Sequence, residues 1–302
     1  MSAAVPVVGG LTWDVAFDLR QLFEFHFMVN AFRAGTIVAI VAGLIGWFMV
    51  LRRQTFAGHT LGLTAFPGAA AAIWLGLNAS LGYFGATTLG ALVIAGVPRT
   101  DLSDTNSSES AVIGTVQAFA LACGVLFVSL YRGFLNSVTD LLFGTFLGVT
   151  DSQVTTLLII GVVVGAALCL IGRPLFFASV DRDVAAARGV PVRLLSIVFL
   201  LLLGLAVAEA TQITGALLVF ALLVMPAAAA QRITLRPALS LVLTIGIGLT
   251  ITWVGLSVAY FSPYPIGFFV TTLGFGVYVA AVAGTRLAER LGRRGVASGA
   301  AP

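Results

Sequence analysis

Nine apolar stretches follow one another along this chain, with little sequence left between them. Hydrophobic residues make up 59% of the 302 residues and charged residues only 9%, against about 25% charged in a soluble domain. About 20 apolar residues cross the hydrocarbon core of a bilayer as a helix. The sequence therefore predicts an all-α, polytopic transmembrane bundle with spans at about 31–51, 61–81, 83–97, 110–130, 153–172, 193–209, 213–231, 238–260 and 265–285.

The stretches between the spans are too short for a soluble domain of any size. We expect an N-terminal extracytoplasmic segment over 1–30, a transmembrane domain over 31–285 and a cytoplasmic tail over 286–302. Apolar side chains between residues 19 and 34 share one helical face, which predicts a helix in the outer interface or, equally, an extension of the first span. No basic residue precedes Arg20, so a cleavable signal peptide is not expected.

The longest polar interruption between spans runs from Arg173 to Arg193 and carries four arginines. Short arginine-rich loops between spanning helices stay on the cytoplasmic side. Within this loop, Asp181–Arg188 is predicted to form a short helix that Gly189 and Pro191 end. A cytoplasmic helix between two spans is a natural docking surface.

If that loop is cytoplasmic and successive spans cross the membrane in opposite directions, the N-terminus lies outside and the C-terminus inside. Thirteen of the sixteen arginines then lie inside, as the positive-inside rule requires. The net charge divides into −3 outside and +7 inside. We expect a multi-pass protein of the plasma or inner membrane, surrounded by lipid, with no nucleic-acid partner.

All sixteen basic residues are arginine, and lysine is absent. The phosphate-binding loop of P-loop ATPases needs a lysine to reach the nucleotide phosphates, so this chain cannot hydrolyse ATP by that chemistry. Between the span ends the polar side chains are hydroxyls and Gln117, with Glu209 at an edge, which is too few for the usual proton relay of a secondary transporter. No Ser/His/Asp or HExxH pattern indicates a membrane enzyme.

Residues 132–152 need an outside location, yet they contain an apolar run. Irregular backbone at membrane depth is tolerated only where protein or a water-filled cavity covers it. The pattern predicts short helices packed at the outer mouth as a candidate outer gate, whose residues are Asp140, Phe143, Gly144 and Asp151.

Two spans carry similar segments, with Phe66–Ala72 in the second and Met225–Ala230 in the seventh. The predicted topology runs these spans in opposite directions, as in an inverted repeat, although alanine-rich stretches also recur by chance. In both segments, a proline removes one backbone hydrogen bond of the helix, and small residues allow neighbouring helices to approach closely.

Few side chains within the spans are able to bind a cation. His59 is a candidate metal ligand or a residue at a helix start, and Glu209 is a candidate cation ligand or an interfacial cap. Met225 is a candidate soft metal ligand through its thioether sulfur, or an ordinary residue of the apolar core. We expect His26 and Glu24 to be surface, and Cys123 and Cys169 to be small buried hydrophobes. The candidates for the pathway are His59, Pro67, Glu209, Met225 and Pro226.

Five motifs follow one another along the chain. They are Leu51-Arg52-Arg53 with Leu61 and Pro67-Gly68, then Glu109–Gly114, Asp140–Gly148, Asp181–Val190, and Gly215–Leu218 with Leu223–Ala227. In this order they resemble a known family, the membrane permease subunits of bacterial ATP-binding cassette (ABC) importers for zinc, manganese and iron. The resemblance runs from about Phe27 to Leu287.

The resemblance implies a compact permease that pairs with a second copy around a central pathway for a divalent metal ion. No bound cofactor is implied, because the metal is the substrate and a partner ATPase binds the ATP. An extracytoplasmic solute-binding protein delivers the metal, and a cytoplasmic coupling helix docks the ATPase. The coupling residues by resemblance are Asp181, Arg182, Asp183, Ala185, Arg188, Gly189 and Val190.

The sequence departs from the family pattern at two places. Many members have Asp and, four residues later, His where this chain has His59 and Leu63. Many also have Asp before Pro-x-Gly where this chain has Pro263-Tyr264-Pro265. Zinc favours His, carboxylate and Cys ligands, so the absence of this Asp and His weakens the prediction of a metal-ion substrate. An iron chelate or a cobalamin-like compound is therefore an alternative substrate, and an ATP-independent transporter or channel is an alternative function.

Overall fold

The computed structural model describes residues 22–96, 105–130, 144, 148–216, 218–262 and 264–298, with the backbone alone for 105–109 and 291–298. The described residues form nine long helices and one short one. They are α1 (His26–Leu51), α2 (Thr55–Trp74), α3 (Ala79–Gly96), α4 (Thr105–Leu130), α5 (Asp151–Val180), α6 (Arg182–Ala187), α7 (Val192–Thr214), α8 (Val219–Ile233), α9 (Pro237–Tyr260) and α10 (Ile266–Ser298).

Every predicted span corresponds to one of the long helices, so the all-α transmembrane fold is confirmed. By length and composition, seven of the nine long helices are able to cross a membrane. The two remaining long helices are α2 and α8. Two of the helices continue beyond the predicted span ends. α5 continues to Val180 and contains Arg173, so the loop is shorter than expected. α10 continues to Ser298, into the segment expected to be a tail.

The first span begins earlier than residue 31, and a bend separates it from the residues before it. Residues 22–24 are helical, the chain bends at Phe25, and α1 then runs unbroken from His26 to Leu51. The beginning of the predicted interfacial helix lies outside the described residues. α1 has 26 residues, which corresponds to about 39 Å at 1.5 Å per residue and exceeds the hydrocarbon core of about 30 Å.

α1 and α5 lie side by side and run in the same direction. At one end, Nε2 of His26 lies 3.1 Å from Oδ2 of Asp151. At the other end, Arg52, which follows α1, donates to Ser179 in the last turn of α5. Polar contacts therefore join the two helices at both ends, and apolar side chains pack between them. Parallel neighbours agree with the predicted topology, in which both spans run inward.

The packing of α1 to α4 is repeated by α7 to α10. α2 packs against α3 and α4, and α8 packs against α9 and α10 in the same way. The first helix of each set contacts the other set, since α1 packs on α8 and α9 while α7 packs on α2 and α3. The two most buried spans are α1 and α7, which form the centre of the bundle.

The two proline segments occupy corresponding places in this repeat. Phe66 and Pro67 of α2 contact Gly124 of α4, while Met225 of α8 contacts Gly274 of α10. In each case the residue before the proline packs on a glycine of the fourth helix in its set. The packing therefore supports the predicted repeat over chance similarity of alanine-rich sequence.

A break between α7 and α8 is buried inside the bundle. Gly215 has a φ of +76°, and Thr214, Gly215 and Ala216 are all buried. A Cβ added to Gly62 of α2 would lie 3.0 Å from Cγ1 of Val219, so α2 covers the start of α8. Non-helical backbone within a membrane needs such cover, because lipid offers no hydrogen-bond partners.

Glycines allow the closest contact between α2 and α3. Gly68 and Gly82 meet backbone to backbone, and a Cβ on either would collide with the other helix. Interfaces between membrane helices use small residues in this way, because close backbones gain van der Waals contact. Cys169, predicted to be buried, is instead exposed on α5, and Cys123 is half-buried.

We expect Gly82→Ala to lower the stability of the bundle by about 1–3 kcal/mol, because the added methyl group must separate α2 from α3. Thermal unfolding of the purified protein in detergent measures the change. Gly85→Ala on the same helix is the matched control, since a Cβ there meets nothing within 4 Å. The control should be neutral or slightly stabilising, because alanine favours a helix over glycine. Equal melting temperatures for the two variants would contradict the packing argument.

Candidate functional site

The short helix α6 is built by capping interactions at both of its ends. The Asp181 side chain accepts a hydrogen bond of 2.9 Å from the amide of Val184, which caps the N-terminus. At the C-terminus, Gly189 has a φ of +81° and donates to Ala186, and Val190 donates to Ala185. This pair of bonds is the Schellman motif, in which glycine supplies the left-handed residue.

α6 exposes most of its surface away from the bundle. Ala185 is fully buried and attaches α6 to the helices behind it, α5 and α7. The remaining predicted coupling residues are exposed except Val190, which is half-buried. Within this set, Asp181 and Gly189 form the caps and Ala185 is the anchor. The side chains that face outward are those of Arg182, Asp183, Val184, Ala186, Ala187 and Arg188.

Beneath α6, one arginine joins three helices. Arg52, at the end of α1, donates to Ser179 of α5 over 3.1 Å and to Ser196 of α7 over 2.6 Å. It also donates to Gln54 over 3.2 Å and lies 5.3 Å from the ring centre of Phe199. We call these five residues the Arg52 cluster. The sequence indicates Arg52 as a cytoplasmic arginine and as part of a family motif, but not these contacts, because the serines that accept its hydrogen bonds are more than 120 residues away.

His59 lies where α2 meets the start of α8. Its ring is half-buried and stands edge-on to Phe220, with 4.8 Å between ring centres. The next residue, Thr60, donates to Gln117 of α4 over 3.1 Å. No group of three or more His, Cys, Asp or Glu side chains occurs among the described residues, around His59 or elsewhere. This surface supplies one imidazole, one amide and hydroxyls beside the buried helix break.

Among the buried residues that the structure describes, Glu209 is the one with a carboxyl group or a basic side chain. It is fully buried in α7, and neither carboxylate oxygen has a hydrogen-bond partner within the described residues. A Cβ added to Gly161 of α5 would lie 3.6 Å from its Oε1 and 3.0 Å from Val41 of α1. The carboxyl group therefore lies at the junction of α1, α5 and α7, without the hydrogen bond that an interfacial cap would make.

A small cavity lies one helical turn beyond Glu209. Its lining comes from the residues just before α5, the first turns of α5 and the last turn of α7, and consists of Val149, Gln153, Leu157, Gln212 and Ile213. Gln212 accepts a hydrogen bond of 2.7 Å from Ser80 of α3. Polar groups thus approach Glu209 from the end of the bundle opposite to α6.

The other predicted pathway residues lie in contacts between helices. Pro67 packs on α4, Pro226 faces α9, and Met225 packs on α10. Of the predicted outer gate, Asp140 and Phe143 lie outside the described residues. Gly144 has a φ of +78° and lies against the backbone of Ile213 and Thr214 at the end of α7. Asp151 contacts His26, which lies on the surface as predicted.

Comparison with known proteins gives consistent matches. A family model described as the ABC 3 transport family matches residues 24–285. The manganese import system permease protein ScaB of Streptococcus parasanguinis is 33% identical over 176 residues, which are 57% of this chain and 60% of that protein. The chelated iron transport system membrane protein YfeC of Yersinia pestis is 32% identical over 181 residues, 60% of each chain.

One solved structure covers more of the chain. PsaBC from Streptococcus pneumoniae, in complex with Fab, has a TM-score of 0.78 and 25% identity, covering 88% of this chain and 95% of that chain. The aligned part of this chain spans about three fifths of the length of the two relatives above.

We expect Glu209→Met to raise stability by about 1–3 kcal/mol, because a buried polar group without a partner carries a desolvation cost of that size. Thermal unfolding in detergent, in buffer freed of metal by a chelator, measures the change. Glu209→Gln is the matched control that keeps the shape and a polar group, and its gain should be smaller. A lower melting temperature for Glu209→Met would mean that the carboxyl group has a stabilising partner.

Proposed function

This chain belongs to the ABC 3 transport family, and from that membership we propose that it forms the membrane pathway of an ABC importer for a divalent metal ion. The observation that carries the proposal is the exposed α6 surface, attached through Ala185 and lying above the Arg52 cluster. The chain has no lysine for a phosphate-binding loop, so a separate ATPase subunit supplies the energy.

Three partners complete the proposed assembly. The ATPase docks on Arg182, Asp183, Val184 and Arg188 of α6, which are exposed. A second copy of the chain forms the other side of the pathway, and an extracytoplasmic binding protein delivers the substrate. The proposed setting is the plasma or inner membrane, with α6 on the cytoplasmic face.

The proposed cycle transmits motion from α6 to the bundle. Closure of two ATPases moves the α6 helices, and each α6 moves α5 and α7, against which it packs. Ser179 and Ser196 bind the same guanidinium of Arg52, so α1 moves with both. The three helices therefore move as one body, and their movement relative to the second copy opens the pathway between the copies at one end and closes it at the other.

The substrate we propose is a divalent ion such as manganese, iron or zinc. The names of the relatives, manganese import and chelated iron transport, support this class. His59 and Glu209 remain the candidate ligands inside the protein. A second candidate is an iron chelate, which the surface around His59 favours because it presents one imidazole without grouped carboxylates.

ATP-dependent uptake into vesicles tests this function. The permease is reconstituted with its ATPase and binding protein, and uptake of Mn²⁺, Fe²⁺, Zn²⁺ and chelated iron is compared. Arg188→Glu should reduce uptake and ATPase assembly at least tenfold, because it reverses a charge at the proposed contact. Arg286→Glu, an equal charge change on α10 away from α6, should leave both nearly unchanged. Uptake without ATP by the permease alone would instead establish a secondary transporter or channel.

Labelling of single cysteines tests the orientation. In a background with Cys123→Ser and Cys169→Ser, we expect Ala187→Cys to be protected from a membrane-impermeant reagent in intact cells. Tyr264→Cys, in the connection between α9 and α10, should be labelled, since it is 65% exposed at the opposite end. Ala187 serves here because Ala185 is fully buried. Labelling of Ala187→Cys from outside would place α6 on the wrong face for an ATPase.

A further inference from the structure

Polar groups from α1 and α5 converge at the end of the bundle opposite to α6. His26 and Asn30 lie one turn apart on α1, and Asp151 begins α5. Nε2 of His26 lies 3.1 Å from Oδ2 of Asp151, and the Asn30 amide nitrogen lies 3.0 Å from Oδ1 of the same carboxylate. The backbone carbonyl of Val149 is 3.3 Å from that nitrogen. We call these four residues the His26 cluster.

Asn30 has an unusual position in this cluster. The residue is 2% exposed, and its carboxamide oxygen has no hydrogen-bond partner within the described residues. Its nitrogen donates to Val149 and Asp151 and lies 3.5 Å from the ring nitrogen of His26, which accepts only in one tautomer. Rotation of the carboxamide by half a turn exchanges nitrogen and oxygen. The oxygen would then join the oxygens of Asp151 and Val149 around a single point, and these oxygens repel one another unless a cation or the N–H of His26 lies among them.

The spacing of these atoms suits a metal ion. Metal–ligand bonds of about 2.1–2.4 Å place neighbouring ligand atoms of an octahedral ion about 3.0–3.4 Å apart. The 3.1 Å between the His26 nitrogen and the Asp151 oxygen falls in this range. Both side chains are also accessible, since they are 72% and 69% exposed. An ion can therefore reach the cluster without unfolding the bundle.

We propose that the His26 cluster is a divalent-cation site that receives the metal before it enters the pathway. The ligands are the imidazole of His26, the carboxylate of Asp151, the carboxamide oxygen of Asn30 and the carbonyl of Val149. One imidazole with several oxygen ligands suits Mn²⁺ or Fe²⁺ better than a thiolate-seeking ion. The proposal rests on the proposed function and deepens it, because it assigns a site of metal entry at the end that faces the binding protein.

Nearby charges set the expected strength of binding. The Arg33 guanidinium, three residues beyond Asn30, interacts electrostatically with Asp151 and opposes a cation there. Glu24 is exposed two residues before His26 and makes no contact in the cluster. The site is therefore weak enough to release its ion, as a transfer site must be.

Binding of Mn²⁺ alone to the purified permease in detergent, followed by the paramagnetic resonance signal of the free ion, tests the site. Wild type should bind one Mn²⁺ per chain, and Asp151→Asn and His26→Gln should each bind at least tenfold more weakly. Glu24→Gln, which removes the same charge from the same end, should bind like wild type. Wild-type binding by both Asp151→Asn and His26→Gln, or no Mn²⁺ binding by folded wild type, would overturn the proposal.

A second variant separates a metal site from a structural contact. Asn30→Asp places a carboxylate against Asp151, so it should melt at a lower temperature than wild type without metal. Mn²⁺ should restore its melting temperature, and its affinity for Mn²⁺ should exceed that of wild type about tenfold. A purely structural contact predicts no recovery with Mn²⁺, and that result would also overturn the site.

Uptake measurements keep this proposal distinct from the proposed function. ATP-driven metal uptake together with loss of the site would leave the importer in place and reject the His26 cluster. Mn²⁺ binding that depends on Asp151, in a protein that needs no ATPase for transport, would keep the site and reject the importer.

Discussion

The Arg52 guanidinium is the contact on which the architecture most depends. A planar group with five donors can bind several oxygens at once, and here it reaches hydroxyls from α5 and α7 at the end of α1. These three helices form the junction around Glu209, and two of them, α5 and α7, carry α6. Loss of the guanidinium would leave Ser179 and Ser196 without this shared partner, and α6 would no longer move as one body with the centre of the bundle.

The lipid environment explains the rest of the arrangement. Association of helices in a bilayer gains little from the hydrophobic effect, so it depends on close packing and on a few polar contacts. The contact of Gly68 with Gly82 is an example of close packing. The Arg52 and His26 clusters provide polar contacts at the two ends of α1 and α5. The non-helical residues between α7 and α8 are tolerated because α2 covers them. An apolar chain thus acquires one defined arrangement of its helices.

The small number of polar groups inside the bundle agrees with the proposed roles of the ATPase and the binding protein. A permease that takes its energy from an ATPase and its affinity from a binding protein needs only weak, short-lived sites of its own. The proposed sites fit this role, because His59 near the break, Glu209 at the three-helix junction and the His26 cluster each offer few ligands. A chain with weak sites along its length can pass an ion onward, whereas a strong site would retain it.

The sequence by itself determined the class of protein, because runs of apolar residues and the distribution of arginines reflect the bilayer directly. It also determined α6, since the Asp181 cap and the Gly189 stop are local signals. Only the tertiary structure decided which distant residues meet. Arg52 with Ser179 and Ser196, and His26 with Asp151, are pairs more than 120 residues apart whose contact depends on how helices pack. Helix periodicity fixes which face a side chain occupies, but the neighbour of that face is chosen by packing.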